Sequence, residues 1–280
     1  MSTATKTEPV RVVGTNAHEG PVYVPGEHAL YFTTLPDEHR RVDIARLTLH
    51  TEEVSVVRSD ANVANGMTLM PDGRLLVCEQ DPARLTLVHR QTGRAKVLVD
   101  SWRGLKLNSP NDVVRKSDGT VWFTDPSYGH LQGFRPEPEL GDFVYRYDLD
   151  CGRLDAVADS LDKPNGIAFS PDESVLYVAD NGAPHHILAF DVLDRSRLRP
   201  PRLFAVGTPG HPDGLKVDPE GRVYVSASSG IQVFDPSGEL IREIDLPGTV
   251  NFTFGGPDRD VLYVTTDDAV WAVQTDAKGA

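Results

Sequence analysis

The chain has few of the residues that build disulfide scaffolds or membrane spans. Only two cysteines, Cys78 and Cys151, occur among its 280 residues, in unrelated contexts, which excludes a disulfide framework and a cysteine-rich metal site. No apolar run approaches the roughly 18 residues that cross a bilayer. The first ten residues, MSTATKTEPV, lack the apolar core of a signal peptide. We therefore expect a cytoplasmic protein that does not bind membranes.

Basic residues are scarce as well. Lys and Arg total 28 against 41 Asp and Glu, a net charge of −13, and no cluster of basic residues stands out along the chain. Binding to a phosphate backbone needs such clusters, so we expect no nucleic-acid partner. The sequence also lacks the G-x-S-x-G, Walker and G-x-G-x-x-G motifs, which leaves nucleophile-elbow hydrolases and nucleotide-binding folds without support.

Long amphipathic helical stretches are absent, and short strand-like runs take their place. VLYVAD (175–180) and RVYVSAS (222–228) are typical of these runs, which Asp-Gly, Pro-Asp and Pro-Glu pairs separate. Val, Tyr, Leu and Phe favour strands, and these dipeptides favour turns. The pattern predicts an all-β fold.

One structural unit recurs six times along the chain. Each unit has a polar residue, a short strand, a turn and a second strand such as VLYVAD. The polar residues that open the units are Glu19, Asn65, Asn111, Asn165, Asp213 and Asn251, and the spacings between them are 46, 46, 54, 48 and 38 residues. A period of this length is typical of the four-stranded blades of a propeller.

The repeat predicts a six-bladed β-propeller with four-stranded blades, formed by residues 1–280 as a single domain. The last unit has room for only three strands, and VRVVG (10–14) is expected to supply the fourth. Strands from the two termini would then close the ring within one blade and leave no exposed edge there. Residues 1–8 and 275–280 are expected to be loose ends.

The polar residues that open the units are expected to form a ring at one mouth of the channel, because the first strand of each blade lines the central axis. Two carboxylates and four amides match a hard divalent cation, Ca²⁺ before Mg²⁺ or Mn²⁺. The ring contains no Cys or His, which argues against a structural zinc. The alternative is that these side chains only cap strands or form Asx turns.

Four segments resemble the gluconolactonase/regucalcin family of sugar lactonases: LNSPNDVVRKSDGTVWFTDPSYG (107–129), KPNGIAFSPDESVLYVADNG (163–182), HPDGLKVDPEGRVYV (211–225) and NFTFGGPDRDVLYVTT (251–266). The resemblance covers nearly the whole chain and is closer to bacterial gluconolactonases than to animal members. It implies a six-bladed propeller with one divalent cation, often calcium, with Mg²⁺, Mn²⁺ or Zn²⁺ as alternatives. The implied metal ligands are Glu19, Asn111, Asn165 and Asp213, all of which belong to the ring.

The resemblance also implies a reaction, the hydrolysis of a sugar lactone such as gluconolactone or a related aldonolactone to its acid. A bound cation would polarise the lactone carbonyl. Asp213 is the expected general base, because it can bind the cation through one oxygen and accept a proton from water with the other. Asp125, Asp180 and His211 are the alternatives for this role.

A further set of residues is expected to contact the substrate. It comprises Asn65, Ser109, Asp125, Tyr128, Asp180, His211 and Asn251. Ser109 lies where animal members of the family have a substrate-binding arginine, so the identity of the sugar stays open. The loop at 130–141 is a candidate lid.

Three other functions remain open. The same site could serve a hydrolase of organophosphates or aryl esters, or an enzyme that acts on an unusual lactone within one pathway. A propeller can also bind calcium or dock proteins without catalysis. A polar pocket would favour a sugar, and apolar walls would favour an ester. We expect a small-molecule lactone as partner, and a monomer or weak homo-oligomer.

Overall fold

The computed structural model describes residues 8–183, 185–194, 196–207 and 210–279. Within these residues it is built almost entirely from antiparallel strands, in six sheets of four strands each. The six sheets form a six-bladed β-propeller, which confirms the fold predicted from the repeat. The first three blades contain these strands in order: Ala17–Val24, Ala29–Thr34, Ile44–Thr48 and Glu53–Arg58; Ala64–Leu69, Leu75–Gln80, Ala83–Val88 and Ala95–Val99; Val113–Arg115, Thr120–Asp125, Phe143–Asp148 and Leu154–Ala158.

The other three blades follow the same plan, with one addition from the N-terminus. Their strands are Pro164–Phe169, Val175–Asp180, His186–Asp191 and Arg202–Val206; Leu215–Val217, Val223–Ala227, Gly230–Phe234 and Leu240–Asp245; Asn251–Gly255, Val261–Thr265, Ala269–Gln274 and Val10–Gly14. Outside the blades lie a short hairpin, Ser101–Trp102 with Leu105–Lys106, a 3-10 turn at Pro25–Glu27 and one helical turn at Tyr128–Leu131.

The ring is closed as the sequence predicted. The N-terminal strand Val10–Gly14 pairs with Ala269–Gln274, and Gly14 lies opposite Ala269. This pairing gives the last blade its fourth strand from the beginning of the chain. It satisfies the backbone groups of an edge that would otherwise be open.

The core lies between neighbouring blades, which explains why the strands are continuously apolar. Leu176, Tyr177 and Val178 are consecutive residues of one strand and all are buried, because each blade packs against a neighbour on both faces. Trp122 of the third blade meets Phe169 of the fourth edge-on, with ring centroids 5.4 Å apart. Such aromatic pairs add to the free energy gained by burying apolar surface.

The turns between the first two strands of a blade use the aspartates that the sequence pattern indicated. The side chain of Asp72 accepts a hydrogen bond from the backbone N–H of Arg74, at 3.0 Å. Asp172 accepts one from Ser174 in the same way, at 3.1 Å. These Asx turns fix where each first strand ends and so fix its register along the channel.

The expectation of a loose C-terminus is wrong for residues 275–279. Thr275 and Ala277 are buried, and the N–H of Gly279 donates to the carbonyl of Arg259 at 2.8 Å. The segment packs on the turn that joins the first two strands of the last blade. The predicted loose N-terminus lies almost wholly outside the described residues.

Candidate active site

Five of the six repeated polar residues line one cavity at a mouth of the channel. The cavity has a volume of about 260 Å³, and its lining includes Glu19, Asn65, Asn111, Asn165 and Asp213. These residues come from the first five blades, within two residues of the start of the innermost strand of each. The ring predicted from the repeat therefore exists as a cavity wall, and the four residues that the resemblance implied as metal ligands share it.

A layer of glycines behind the ring lets the innermost strands approach each other. The residues that directly follow the ring positions are Gly20, Gly66, Asp112, Gly166, Gly214 and Phe252. The N–H of Gly166 donates to the carbonyl of Asp213 in the next blade at 3.0 Å, and Gly66 donates to Asn111 at 2.7 Å. A Cβ on Gly166 would overlap that carbonyl and lie 2.8 Å from the nitrogen of Leu215. Only glycine allows this close contact between blades.

Glu19 and Asp213 form a pair of carboxyl groups in direct contact. Burial, and then the charge of Glu19, raise the pKa of Asp213 well above its ordinary value, and Asp213 is in hydrogen-bond contact with Glu19. Burial raises the pKa of Glu19 as well. Two carboxylates in contact cannot both stay ionised without a positive charge between them or a shared proton.

The donor atoms of the cavity fit a hard divalent cation. Oδ1 of Asp213 and Oδ1 of Asn65 are buried, and neither has a hydrogen-bond partner among the residues that the structure describes. Both are oxygens, and oxygen is the ligand atom that Ca²⁺ and Mg²⁺ prefer. Across the described part of the chain, no three His, Cys, Asp or Glu side chains cluster as a metal site. Any cation bound here would therefore need the amide oxygens as well as the two carboxylates.

Asn251 supports the ring rather than lining the cavity. Its amide nitrogen donates to Oε2 of Glu19 at 2.7 Å, and its Oδ1 accepts the N–H of Phe252 at 2.8 Å. Both ends of the buried side chain are therefore occupied. The side chain of Asn251 was expected to contact the substrate, and in the structure it orients Glu19 instead.

Asp125 and Ser109 do not reach the cavity either. The carboxylate of Asp125 is fully buried and accepts the N–H groups of Asn108 at 2.9 Å and Ser109 at 2.7 Å. Burial raises the pKa of Asp125 to about 7. Oγ of Ser109 accepts the N–H of Gly129 at 2.8 Å. These bonds hold the segment before Asn111 in place, so Asp125 is not free to act as the base.

Asp180 has a similar structural role, and His211 lies at the rim. Both carboxylate oxygens of Asp180 lie 3.0 Å from the N–H of Asp162, and the side chain does not line the cavity. Nδ1 of His211 is 2.8 Å from Oδ1 of Asn181, and the histidine is exposed. Neither residue has the direct access to the ring that Asp213 has.

Tyr128 lines the cavity as expected. The amide of Asn165 donates to its hydroxyl at 3.4 Å, and the hydroxyl donates to the carbonyl of Lys163 at 3.4 Å. Burial, and then the charge of Asp213, raise the pKa of Tyr128. The hydroxyl is therefore protonated at neutral pH, and it can donate its single hydrogen to a ligand only in place of the bond to Lys163.

Four further polar residues of the cavity were not predicted from the sequence. They are Gln80, Asn181, His18 and Gln132, and Gln132 belongs to the loop at 130–141 that was a candidate lid. Gln80 and Asn181 each follow an acidic residue of a second strand, Glu79 and Asp180, of which Asp180 was expected to contact the substrate. Because side chains alternate along a strand, the acid points away from the cavity and its successor points into it. His18 precedes Glu19, and its Nδ1 lies 2.6 Å from Asp267.

Comparisons with known proteins agree with the family resemblance of the sequence. The model of the SMP-30/Gluconolactonase/LRE-like region matches residues 17–268. A gluconolactonase of Zymomonas mobilis is 31% identical over 295 residues, which cover 97% of this chain and 82% of that protein. The pentonolactonase XacC of Haloferax volcanii is 29% identical over 272 residues, covering 91% and 84% respectively.

A solved structure agrees over almost the same span. A gluconolactonase of Xanthomonas campestris superposes with a TM-score of 0.88 at 32% identity, covering 96% of this chain and 90% of that one. These findings confirm the prediction of a lactone-hydrolysing enzyme. In the described residues, no helix is both long and apolar enough to cross a membrane. The matched region, residues 17–268, covers five blades and the first two strands of the sixth, and the chain belongs to the SMP-30/gluconolactonase/LRE-like family.

Proposed function

We propose that this protein hydrolyses the ring ester of a sugar lactone, gluconolactone or a related aldonolactone, in the cavity at the mouth of the channel. The observation that carries the proposal is Oδ1 of Asp213, a buried carboxylate oxygen that has no hydrogen-bond partner among the described residues. It belongs to a cavity lined mainly by polar side chains, with Glu19 and several amides among them. An unpartnered charged oxygen is costly unless a ligand or a proton uses it. Its place between Glu19 and Asn165 suits both roles that Asp213 would have.

A divalent cation would be held by Glu19, Asn111, Asn165 and Asp213, and Ca²⁺ is the cation that these oxygen ligands suit best. When bound, it would supply a positive charge that compensates the two carboxylates and polarises a carbonyl oxygen. Asn251 fixes the orientation of Glu19 through its 2.7 Å hydrogen bond. The ring is thus held in shape by hydrogen bonds and by close contacts between the blades.

Asp213 is the proposed general base. Its carboxylate would take a proton from the water that attacks the lactone carbonyl. When the ester C–O bond breaks, the same group would return that proton to the ring oxygen as it leaves. The product is an open-chain hydroxy acid, and the enzyme regains its starting protonation state.

The walls of the cavity favour a sugar over an aryl ester. Asn65, Gln80, Asn181 and the hydroxyl of Tyr128 offer donors and acceptors at several points, and a sugar lactone carries a hydroxyl on most of its carbons. Apolar side chains, among them Val42 and Val63, form a smaller part of the lining. A site built to hydrogen-bond hydroxyls discriminates strongly against ligands that lack them.

The test is proton release from D-glucono-1,5-lactone by chelator-treated protein, before and after addition of Ca²⁺, Mg²⁺, Mn²⁺ or Zn²⁺. Spontaneous hydrolysis is subtracted. We expect activity to return with at least one metal and to be lost in Asp213→Asn and Glu19→Gln. Asp245→Asn is the matched control, because Asp245 is an exposed acid of the fifth blade.

The outcomes separate substrate from site. No activity on a panel of aldonolactones with any metal, in a folded protein that binds metal, would contradict the lactonase proposal. Activity on aryl or phosphate esters under the same conditions would replace it with the ester hydrolase. Full activity in Asp213→Asn would refute the assigned base.

A further inference from the structure

The far end of the channel holds a second and larger cavity, which we call the basic funnel. It has a volume of about 730 Å³ and is lined by the ends of the six innermost strands, with Arg90, Arg115, Lys216 and Arg259 among its residues. The cavity proposed above to bind the lactone, which we call the lactone cavity, lies where these strands begin. The basic funnel lies where they end. The two cavities have no lining residue in common.

The charge of the basic funnel is opposite to that of the protein. Its lining includes four basic residues and, among the residues that the structure describes, neither Asp nor Glu. The whole chain has 41 acidic and 28 basic residues. A concave surface of one sign concentrates ions of the opposite sign, so the basic funnel attracts anions to a protein that otherwise repels them.

Three of the four cations are available to a ligand. Arg90 is occupied, because it pairs with Glu27 at 3.1 Å and donates to the carbonyl of Gly73 at 3.0 Å. Arg115, Lys216 and Arg259 form no ion pair within the described parts of the chain. Nζ of Lys216 donates only to the carbonyl of its neighbour Leu215, at 3.0 Å.

Lys216 is the one charged side chain in its layer of the channel. The residues three positions after the ring residues are Val22, Thr68, Val114, Ala168, Lys216 and Phe254, and all six line the basic funnel. Lys216 is half-buried, in a position where the other blades have uncharged side chains. Burial raises the pKa of Asp112, and the charge of Lys216 acts against that rise, so the ammonium interacts with one buried carboxyl group. Asp112 does not line the basic funnel, and an anion there would give the half-buried ammonium a partner on the side of this cavity.

The two arginines extend from ordered backbone at the rim. Arg115 is the last residue of the strand Val113–Arg115. The carbonyl of Arg259 accepts the N–H of Gly279, so the C-terminal segment helps to hold the turn that presents this side chain. Guanidinium groups bind phosphate and carboxylate through two parallel hydrogen bonds, and a lysine adds a point charge.

We propose that the basic funnel binds a small organic anion with at least two negative charges, a phosphate ester or a polycarboxylate. Its charged groups would contact Arg115, Lys216 and Arg259, and its carbon skeleton would lie on Val22, Val114 and Phe254. A volume of about 730 Å³ is within the range of small-molecule sites. This site is separate from the lactone cavity and does not depend on the proposed reaction.

The test is calorimetric titration of chelator-treated protein at low ionic strength with four probes. D-glucose 6-phosphate is a phosphate ester, tricarballylate is a polycarboxylate, D-gluconate has a single charge and D-glucose has none. We expect one polyanion or both to bind at one site, gluconate to bind at least tenfold more weakly, and glucose not to bind. The tighter of the two polyanions identifies the class of ligand.

Variants then locate the binding. Lys216→Met with Arg115→Gln should weaken binding of the polyanion at least tenfold. Arg94→Gln with Lys96→Met is the matched control, since both side chains are exposed on the second blade and neither forms an ion pair in the described structure. This control and Asp213→Asn should bind as the wild type does.

The proposal would be overturned if neither polyanion bound, or if the wild type and the Lys216/Arg115 variant bound the polyanion equally. Equal loss in the Arg94/Lys96 variant would also overturn it, because it would show attraction by overall charge alone. If the double variant does not fold, Arg259→Gln at the exposed rim decides, with an expected loss of at least threefold.

Discussion

Gly166→Ala tests whether close contact between the blades holds the ring of polar residues at the channel mouth in shape. In the native structure the N–H of Gly166 donates to the carbonyl of Asp213 at 3.0 Å. A Cβ added here would overlap that carbonyl oxygen, with Leu215 N at 2.8 Å and Gly214 C at 3.0 Å. Backbone atoms of the fifth blade would have to move, and the hydrogen bond would break.

The expected cost follows from these two effects. Overpacking a tight site costs about 1–3 kcal/mol, and loss of one hydrogen bond adds about 1 kcal/mol. The free energy of unfolding should therefore fall by about 2–4 kcal/mol, which lowers Tm by roughly 3–7 °C in a protein of this size. Because the displaced carbonyl belongs to Asp213, the affinity for Ca²⁺ should also fall, by tenfold or more.

Gly26→Ala is the matched control for this substitution. A Cβ on Gly26 would meet no atom within 4 Å, and its φ lies outside the left-handed region. The change should leave stability unchanged or raise it by about 0.4–1 kcal/mol through the unfolded chain. Chemical denaturation and calorimetric Ca²⁺ titration of both variants provide the comparison. A Gly166→Ala protein as stable as the Gly26→Ala protein, with the same affinity for Ca²⁺, would refute the role assigned to the glycine layer.

Three further predictions concern side chains around the ring. Asn251→Ala removes the donor to Glu19 and should raise the dissociation constant for Ca²⁺ about tenfold or more, as measured by calorimetry; an unchanged constant would contradict its role in orientation. Asp125 has a pKa of about 7 in the folded protein, against an ordinary 3.8, so the fold binds its proton more tightly than the unfolded chain does. The stability this proton provides is complete below about pH 4 and is lost as the pH rises to about 7; denaturation of wild type and Asp125→Asn across that range should show a difference that shrinks by up to about 4 kcal/mol, and a constant difference would be incompatible with it. Tyr128→Phe removes a cavity hydroxyl bonded to Asn165 and should raise KM for the lactone severalfold with unchanged Ca²⁺ affinity, which steady-state kinetics and titration can check; an unchanged KM would place the substrate elsewhere.

The fold could be predicted from the sequence because the propeller repeats one unit. The polar residue at the start of each innermost strand has the same register in every blade, so aligning the units by sequence also aligned them in space. The closing strand at 10–14 followed from counting strands in the last unit. The ring residues Glu19, Asn65, Asn111, Asn165 and Asp213 therefore came together as expected.

Errors arose where the argument needed the direction of a side chain rather than its position. Asp125 and Asp180 lie at the end of the second strand of their blades, near the cavity, but each points back to bind backbone N–H groups. The residue that follows a strand end can face the opposite way, as Asn181 does. Strand register alone does not reveal which of two adjacent polar residues turns inward.

The basic funnel was hidden from the sequence for a different reason. Arg115, Lys216 and Arg259 are far apart along an acidic chain, and none lies in a run of basic residues. Only the convergence of the innermost strands brings them into one cavity. The C-terminal segment was also misjudged, because polar residues such as Thr275 resemble a loose end until their hydrogen bonds to Asp260 are seen.

The central claim is that Glu19, Asn111, Asn165 and Asp213 form one divalent cation site, and calorimetric titration of chelator-treated protein with Ca²⁺ tests it most directly. We expect one site per chain in the wild type, the same affinity in the exposed-acid control Asp245→Asn, and loss of binding in Asp213→Asn. Binding of Ca²⁺ by Asp213→Asn with wild-type affinity and stoichiometry would contradict the claim.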